Sequence, residues 1–277
     1  MGISLISLTN FIPPKPCLSL TPKSKHHHFT FFPKATLRKN KKSPSSFHKV
    51  QEVHSITEFE TALIQAKDSL VLVEFIPTAR SQTPPLTVQL SQSQQNDGVC
   101  FVLVKADESE ETKALCRRES VKRIPHYNFY KNEKKLLEKS RLKAEEFIQY
   151  EQYYGNSHGS VIQLRCMDDV DRLMMADRTA AGCGKVLVLN LGLSTCGPCV
   201  KIYPTIVWLS AQMRDDVVFA RLIGDDNDGR NMEFLRNNYV VRVPAFLFIR
   251  NGELLGSYVG SQKALLVKEI FGYIERS

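Results

Sequence analysis

Apolar residues in this chain come in two kinds of run, and the runs recur in the same order twice. Leu70–Phe75 (LVLVEF) and Val186–Leu191 (VLVLNL) are short and almost wholly apolar. Such runs read as strands buried on both faces. Each is preceded by apolar positions at helical spacing: Phe59, Leu63 and Ile64 in copy one, and Val170, Leu173 and Met174 in copy two. Each is followed by a helical stretch, a second apolar run (Val99–Val104 or Val217–Ile223), another helical stretch and a strand led by proline. The proline-led strands match most closely. VKRIPHYNFYKN (Val121–Asn132) lies 119 residues before VVRVPAFLFIRN (Val240–Asn251). Copy two continues into Leu254–Val259 and a helix predicted over Lys263–Ile274.

Strands alternating with helices imply an α/β fold, a central sheet covered on both faces. A repeat of roughly 110 residues is long enough to be a domain and too long for a solenoid unit. Gly155, Asn156, Ser157 and Gly159 cluster where the copies meet. The expected organisation is therefore residues 1–50, then domains over 51–155 and 156–277.

Charge separates the first segment from the rest. The formal net charge is +8, from 37 Lys+Arg and 29 Asp+Glu. Residues 1–50 hold eight Lys and one Arg and no acidic residue. The remaining 28 basic and 29 acidic side chains leave the body at −1. Nucleic-acid binding usually needs a basic footprint across a domain, so the body is excluded from that class. No run of about 18 uninterrupted apolar residues occurs, and no membrane span is expected. Seven cysteines are an odd number and too dilute for a disulfide scaffold, which fits a reducing compartment.

Residues 1–50 are rich in Ser, Thr, Pro and Lys, the composition of an organelle transit peptide that stays disordered. High Ser and few Arg lean towards the chloroplast. Pro13 and Pro14 break the opening apolar stretch too early for a secretory signal, and Ile6 breaks the myristoylation pattern. His26–His28 and the Lys39–Lys42 cluster read as polar leader before they read as a metal site or a nuclear signal.

The sharpest chemical signal is Cys196-Gly197-Pro198-Cys199, directly after the copy-two strand. The same spacing makes half a zinc site, but zinc normally takes four ligands. Copy two has no His after His158, and Cys166 and Cys183 lack pair spacing. The strand–CxxC–helix order favours dithiol chemistry. A cysteine at a helix N-terminus meets unpaired N–H groups and the positive end of the dipole, which stabilise a thiolate. The second lies one turn on, close enough to form a disulfide. Gly197 is expected to allow a tight approach to the helix, and Pro198 suits its first turn.

On these residues copy two resembles thioredoxin. Pro204 stands five residues after Cys199, at the place of that family's helix-kinking proline. Val243-Pro244 resembles its cis-proline pair, which faces the dithiol and holds the substrate backbone. Asn251-Gly252-Glu253 and Val259-Gly260 resemble its hairpin and closing glycine, and Lys201 stands one residue beyond the usual lysine. Two departures matter. Thr195 replaces a Trp, and Asn190 replaces a buried Asp behind the second cysteine. Asn cannot titrate, so slower release of a mixed disulfide is expected. In copy one, Pro77–Pro85 (PTARSQTPP) has no Cys and is three residues shorter than its counterpart. The first turn of the following helix is expected to be rebuilt or lost. Ile124-Pro125 still resembles the cis-proline pair, so a peptide-docking surface could survive there.

A leader, a dithiol-free module and a Cys-Gly-Pro-Cys module together resemble the chloroplastic drought-induced stress protein family. Lys113–Glu119, Tyr153-Tyr154-Gly155 and Phe219-Ala220-Arg221 carry the match. The resemblance implies two tandem thioredoxin-like domains, each a central mixed sheet flanked by helices. It implies a stromal thiol-disulfide oxidoreductase of the oxidative-stress response that reduces disulfides or sulfenic acids. The implied partners are 2-Cys peroxiredoxins and methionine sulfoxide reductases, with no cofactor, metal or nucleic acid. Cys196 is then the nucleophile and Cys199 the resolving thiol of a redox-active disulfide. Gly197, Pro198, Asn190 and Pro204 support them, and Val243 and Pro244 bind substrate.

Two other readings stay open. An isomerase or oxidase of an oxidising lumen would need a secretory signal and usually a retention tail, and Ile274-Glu275-Arg276-Ser277 is no such tail. A non-catalytic binder would use copy one as its working surface. Among the other cysteines, Cys116 beside Arg117 and Arg118 reads either as an activated thiol or as a small core residue. Cys100 reads as core, and Cys183, in a Gly-rich loop, as exposed and oxidisable. Trp208 reads as a packing residue.

Overall fold

The computed structural model describes residues 50–79, 82–92, 98–179, 184–226 and 229–275. All but the last residue of the expected leader lies outside them, as does Cys183.

Module one is built around β2 (Leu70–Ile76). It pairs in parallel with β3 (Val99–Lys105) and antiparallel with β4 (His126–Lys131). β1 (Gln51–Glu52) joins β3, and β5 (Lys134–Lys139) joins β4, giving the order β1-β3-β2-β4-β5. The helices are α1 (Ile56–Ala66), α2 (Leu86–Ser91), α3 (Glu110–Arg118) and α4 (Ala144–Tyr154). Ser55 starts α1 by accepting from the Glu58 N–H, and Ser109 with Thr112 closes a capping box on α3.

Module two repeats the plan with β6 (Ile162–Leu164), α5 (Met167–Thr179), β7 (Val186–Gly192), α6 (Gly197–Gln212) and β8 (Val217–Ile223). It continues with α7 (Asn231–Asn237), β9 (Ala245–Arg250), β10 (Glu253–Val259) and α8 (Lys263–Ile274). The sheet order β6-β8-β7-β9-β10 is that of module one, element for element. The fold is α/β, as the repeated pattern implied, and its two mixed sheets flanked by helices are those the resemblance implied.

Strand alternation divides the core into three layers. Leu70 and Leu72 of β2 and Val186 and Val188 of β7 belong to one continuous cluster. Val71, Val73 and Phe75 face a cluster on the far side of sheet one. Leu187, Leu189 and Leu191 face another on the far side of sheet two. Burying each such side chain contributes about 1.5–3 kcal/mol, which is why both central strands are apolar on both faces. Ile64, read from the helical spacing as apolar-face, is instead 58% exposed, and Phe59 and Leu63 carry that face.

The shared cluster is sealed by α4 against α6. The Tyr153 ring meets Tyr203 of α6 edge-on at 5.4 Å. The Arg221 guanidinium of β8 is buried against both rings, 4.0 Å from the Tyr153 centroid and 4.3 Å from that of Tyr203. A desolvated cation–π contact of this kind is worth about 2 kcal/mol. At the C-terminal end of α4, Lys131 Nζ donates to the carbonyls of Tyr154 and Gly155 and to Asn156 Oδ1.

Candidate active site

The chain leaves β7 at Gly192 and turns so that the Cys196 N–H donates to the Leu193 carbonyl at 3.2 Å. Cys196 is then the N-cap of α6, and its Sγ accepts from the Cys199 N–H at 3.2 Å. A sulfur thus takes the place usually filled by a Ser or Asp oxygen. Pro198 lies in the first turn, where its missing donor costs nothing. The two cysteines form a disulfide, with 5.2 Å between their Cα atoms. Cys199 is 2% exposed, Cys196 is half-buried, and Thr195, Gly197 and Pro198 surround it at the surface. One sulfur can be reached from solvent and the other is covered. Gly197 differs from expectation. No atom lies within 4 Å of where its Cβ would stand, and its φ is outside the left-handed region. The turn therefore does not require glycine there.

Asn190 points into the shared cluster behind the dithiol, 2% exposed, and its amide donates to the Ala245 carbonyl at 3.4 Å. Pro204 lies within α6. The Val243-Pro244 bond is cis and immediately precedes β9. Because Leu191 pairs with Ala245, Val243 and Pro244 stand at the end of the sheet from which Cys196 emerges.

The corresponding end of module one is built differently. Ile124-Pro125 is also cis. The helix after the central strand, however, starts only at Leu86 and has 6 residues, against 16 in α6. Its opening turns are lost, as the shortened segment implied. The late helix start is met by Glu74, which stands at the strand position equivalent to Asn190 and is 2% exposed. Its carboxylate accepts from the N–H groups of Leu86 (3.1 Å) and Thr87 (2.8 Å), from Thr87 Oγ1 (2.8 Å) and from the Tyr127 hydroxyl (3.1 Å). A buried carboxylate is tolerable only when its oxygens are satisfied in this way. Burial, together with the Glu74 charge, pushes the Tyr127 hydroxyl well above its ordinary range, so it remains a donor. The motifs and spacings of the sequence did not single out Glu74. The available signal was a single charged residue inside an otherwise apolar strand.

A second pair of features is the same in both modules. After β7, Ser194 donates its N–H (2.7 Å) and its hydroxyl to Asp225. After β2, Thr78 donates its N–H (2.6 Å) and hydroxyl (2.8 Å) to Asp107. Because module one keeps this tie without a dithiol, the tie belongs to the fold.

The remaining cysteines among the described residues are partly buried. Cys116 packs against the outer core of module one with its Sγ 3.8 Å from the Ala106 carbonyl. Burial pushes its thiol up and outweighs the opposing pull of Arg117, so the core reading holds over the activated one. Burial likewise raises the Cys100 thiol. Cys166 is half-buried. Trp208 corrects the packing expectation: it is 60% exposed on α6.

The chain is similar in sequence to known proteins. The thioredoxin family pattern matches residues 180–271, the span that holds the dithiol. Over 233 residues the chain is 46% identical to the thioredoxin-like protein CDSP32, chloroplastic, of Arabidopsis thaliana, covering 83% of this chain and 75% of that protein. It is 30% identical to thioredoxin H9 of the same plant over 105 residues, 38% of this chain and 69% of that protein. Among solved structures, thioredoxin NaTrxh from Nicotiana alata is 23% identical with a TM-score of 0.38, covering 43% of this chain and 96% of that one.

Proposed function

This chain belongs to the thioredoxin-like family that includes CDSP32, and from that premise we propose that it is a plastid thiol-disulfide oxidoreductase that reduces target proteins through Cys196 and Cys199. The observation that carries this reading is the asymmetric dithiol: a reachable sulfur at a helix N-cap, bridged to a covered one.

In the reduced protein the Cys196 thiolate attacks one sulfur of a target disulfide. A Cys196–target bond forms and the other target sulfur leaves as a thiolate, taking a proton from water. Cys199, once deprotonated, attacks Cys196 Sγ. The mixed disulfide breaks, the second target thiolate departs and the Cys196–Cys199 bridge remains. Two electrons pass from the dithiol to the target, and an external dithiol must return them. A thioredoxin-type couple lies near about −270 mV, which favours target reduction. In this reading the backbone at Val243 and Pro244 holds the target strand, supported by the cis bond at the end of the sheet from which Cys196 emerges. Asn190 cannot titrate, so resolution must take its proton transfer through water or another group, or be slower.

In this proposal residues 1–50 are a transit peptide to the stroma, and 51–155 and 156–277 are two tandem thioredoxin-like domains that share the core described above. Peroxiredoxins and methionine sulfoxide reductases of the oxidative-stress response are the targets. The test is insulin reduction with dithiothreitol as donor. The wild-type chain is expected to reduce insulin and Cys196→Ser to have no activity; equal rates would overturn the proposal. A Cys199→Ser chain should retain targets on Cys196 in plastid extract, and recovering neither target class would remove them from the proposal.

A further inference from the structure

Two tyrosine hydroxyls from module one reach the loop that carries the module-two dithiol. Tyr153 Oη donates to the Leu193 carbonyl at 2.9 Å, and Tyr154 Oη donates to the Ser194 carbonyl at 2.5 Å. Both side chains are buried, at 2% and 7% exposure. Neither is free to drift. Tyr153 is held by the Arg221 guanidinium over its ring, by Tyr203 at its edge and by Arg221 Nη1 on its own carbonyl at 2.9 Å. Tyr154 stacks on Tyr150, and its carbonyl accepts from Lys131. The approach also needs Gly192. A Cβ there would stand 2.8 Å from Tyr153 Oη and 3.6 Å from Cys199 Sγ, so hydroxyl and inner sulfur crowd the same point.

The Leu193 carbonyl links these contacts to the reactive sulfur. It accepts from Tyr153 Oη on one side and from the Cys196 N–H on the other. That second bond sets the turn in which Cys196 becomes the N-cap and its Sγ meets the Cys199 N–H. On the far side of the loop Ser194 is held by Asp225. Hydrogen bonds to a charged sulfur favour the thiolate, and they act only while the sulfur occupies the cap.

We propose that Tyr153 and Tyr154 are positioning residues for the module-two dithiol, so that module one holds Cys196 at the helix N-terminus. The proposal rests on the oxidoreductase reading of that dithiol. The dithiol-free module then contributes to catalysis by supplying one wall of the active-site loop. Burial keeps both hydroxyls protonated, pushing Tyr154 up to about 12 and Tyr153 further, so both remain donors at physiological pH.

The test uses the reduced full-length chain and reads the pH dependence of iodoacetamide alkylation at the Cys196 peptide by mass spectrometry. The midpoint potential of the Cys196–Cys199 couple is read alongside it in dithiothreitol buffers. Tyr153→Phe removes one hydroxyl and keeps the ring. It is expected to move the Cys196 alkylation profile up by about half a pH unit, a roughly three-fold smaller thiolate fraction on the acid limb of the profile, and to shift the potential with it. Tyr154→Phe should move the profile in the same direction. Tyr203→Phe, whose hydroxyl meets His158 and Gln163 instead of the loop, should leave it in place. An unmoved profile in either Tyr153→Phe or Tyr154→Phe overturns the proposal, as does an equal shift in Tyr203→Phe. Alkylation needs no turnover, so a wild-type chain that fails to reduce insulin overturns the reductase reading alone.

Discussion

In module one the Glu74 carboxylate ties down a helix of 6 residues, while at the same step of the equivalent strand in module two Asn190 sits behind a dithiol that opens a helix of 16. The surrounding frames are alike. Both sheets have the same strand order, both proline-led strands begin with a cis bond, and both post-strand loops are tied to an aspartate. The comparison separates two requirements. The frame needs a satisfied buried polar group at that strand position and an aspartate tie. Redox chemistry needs the extra turns of helix that bring two sulfurs to its N-terminus. With three residues fewer in module one, the N–H groups of a later helix start meet the carboxylate instead.

The harshest test of that contrast is to remove the carboxylate. Glu74→Ala leaves the Leu86 and Thr87 N–H groups, the Thr87 hydroxyl and the Tyr127 hydroxyl without their acceptor in a buried site. A loss of about 3–5 kcal/mol in unfolding free energy is expected from urea titration. Redox activity per folded molecule should be retained. A cost below about 1 kcal/mol would mean that the helix start does not depend on Glu74.

The reciprocal change sharpens the comparison from the other side. Asn190→Asp puts a carboxylate at the position where module one has one, but no set of donors awaits it. Its present partner is the Ala245 carbonyl, which would face a second acceptor. The expected cost is about 1–3 kcal/mol. The gain is a proton acceptor behind Cys199, so resolution of a mixed disulfide with a model substrate should quicken about ten-fold or more in stopped-flow. An unchanged rate would show that resolution is not limited by proton transfer.

The seam between the modules has its own pH dependence. His158 is packed beside Tyr203, and burial with the Arg221 and Lys131 charges lowers it from 6.5 to about 4. The unfolded chain therefore binds a proton that the folded chain refuses between those values. Stability from this site is intact above about pH 6.5 and falls as the pH drops towards 4. His158→Gln should flatten the fall in urea midpoint between pH 7.5 and pH 5 relative to the wild type. Parallel slopes would place the acid sensitivity elsewhere.

The features legible in the sequence were those written in periodicity and in punctuation. Two apolar strands, a proline-led strand in each copy and one Cys-x-x-Cys were enough for the fold and the dithiol. What was missed depends on contacts between residues far apart in the chain. Glu74 passes unmarked within an apolar strand because its donors lie 12, 13 and 53 positions away. Tyr153 and Tyr154 looked like markers of family resemblance, although their hydroxyls reach across 40 positions to the dithiol loop. Trp208 and Gly197 failed in the opposite sense. Residue type suggested packing for one and backbone necessity for the other, and the surroundings of each are open.

The smallest effect tests what the modules share. Asp107→Ala and Asp225→Ala each remove an aspartate tie from an exposed loop. If the tie belongs to the frame, both should lower Tm by a similar amount, about 2–4 °C or less for a chain of this size. The Thr78 hydrogen bonds hold the Asp107 carboxyl below the usual carboxylate range. A carboxyl with a lowered folded pKa stabilises at neutral pH and loses that contribution as the pH falls through the folded value. The Tm difference between the wild type and Asp107→Ala should therefore close on acidification. A larger fall in Asp225→Ala than in Asp107→Ala would break the symmetry. It would mean that module two has drawn the same aspartate into holding its active-site loop, alongside the two tyrosines.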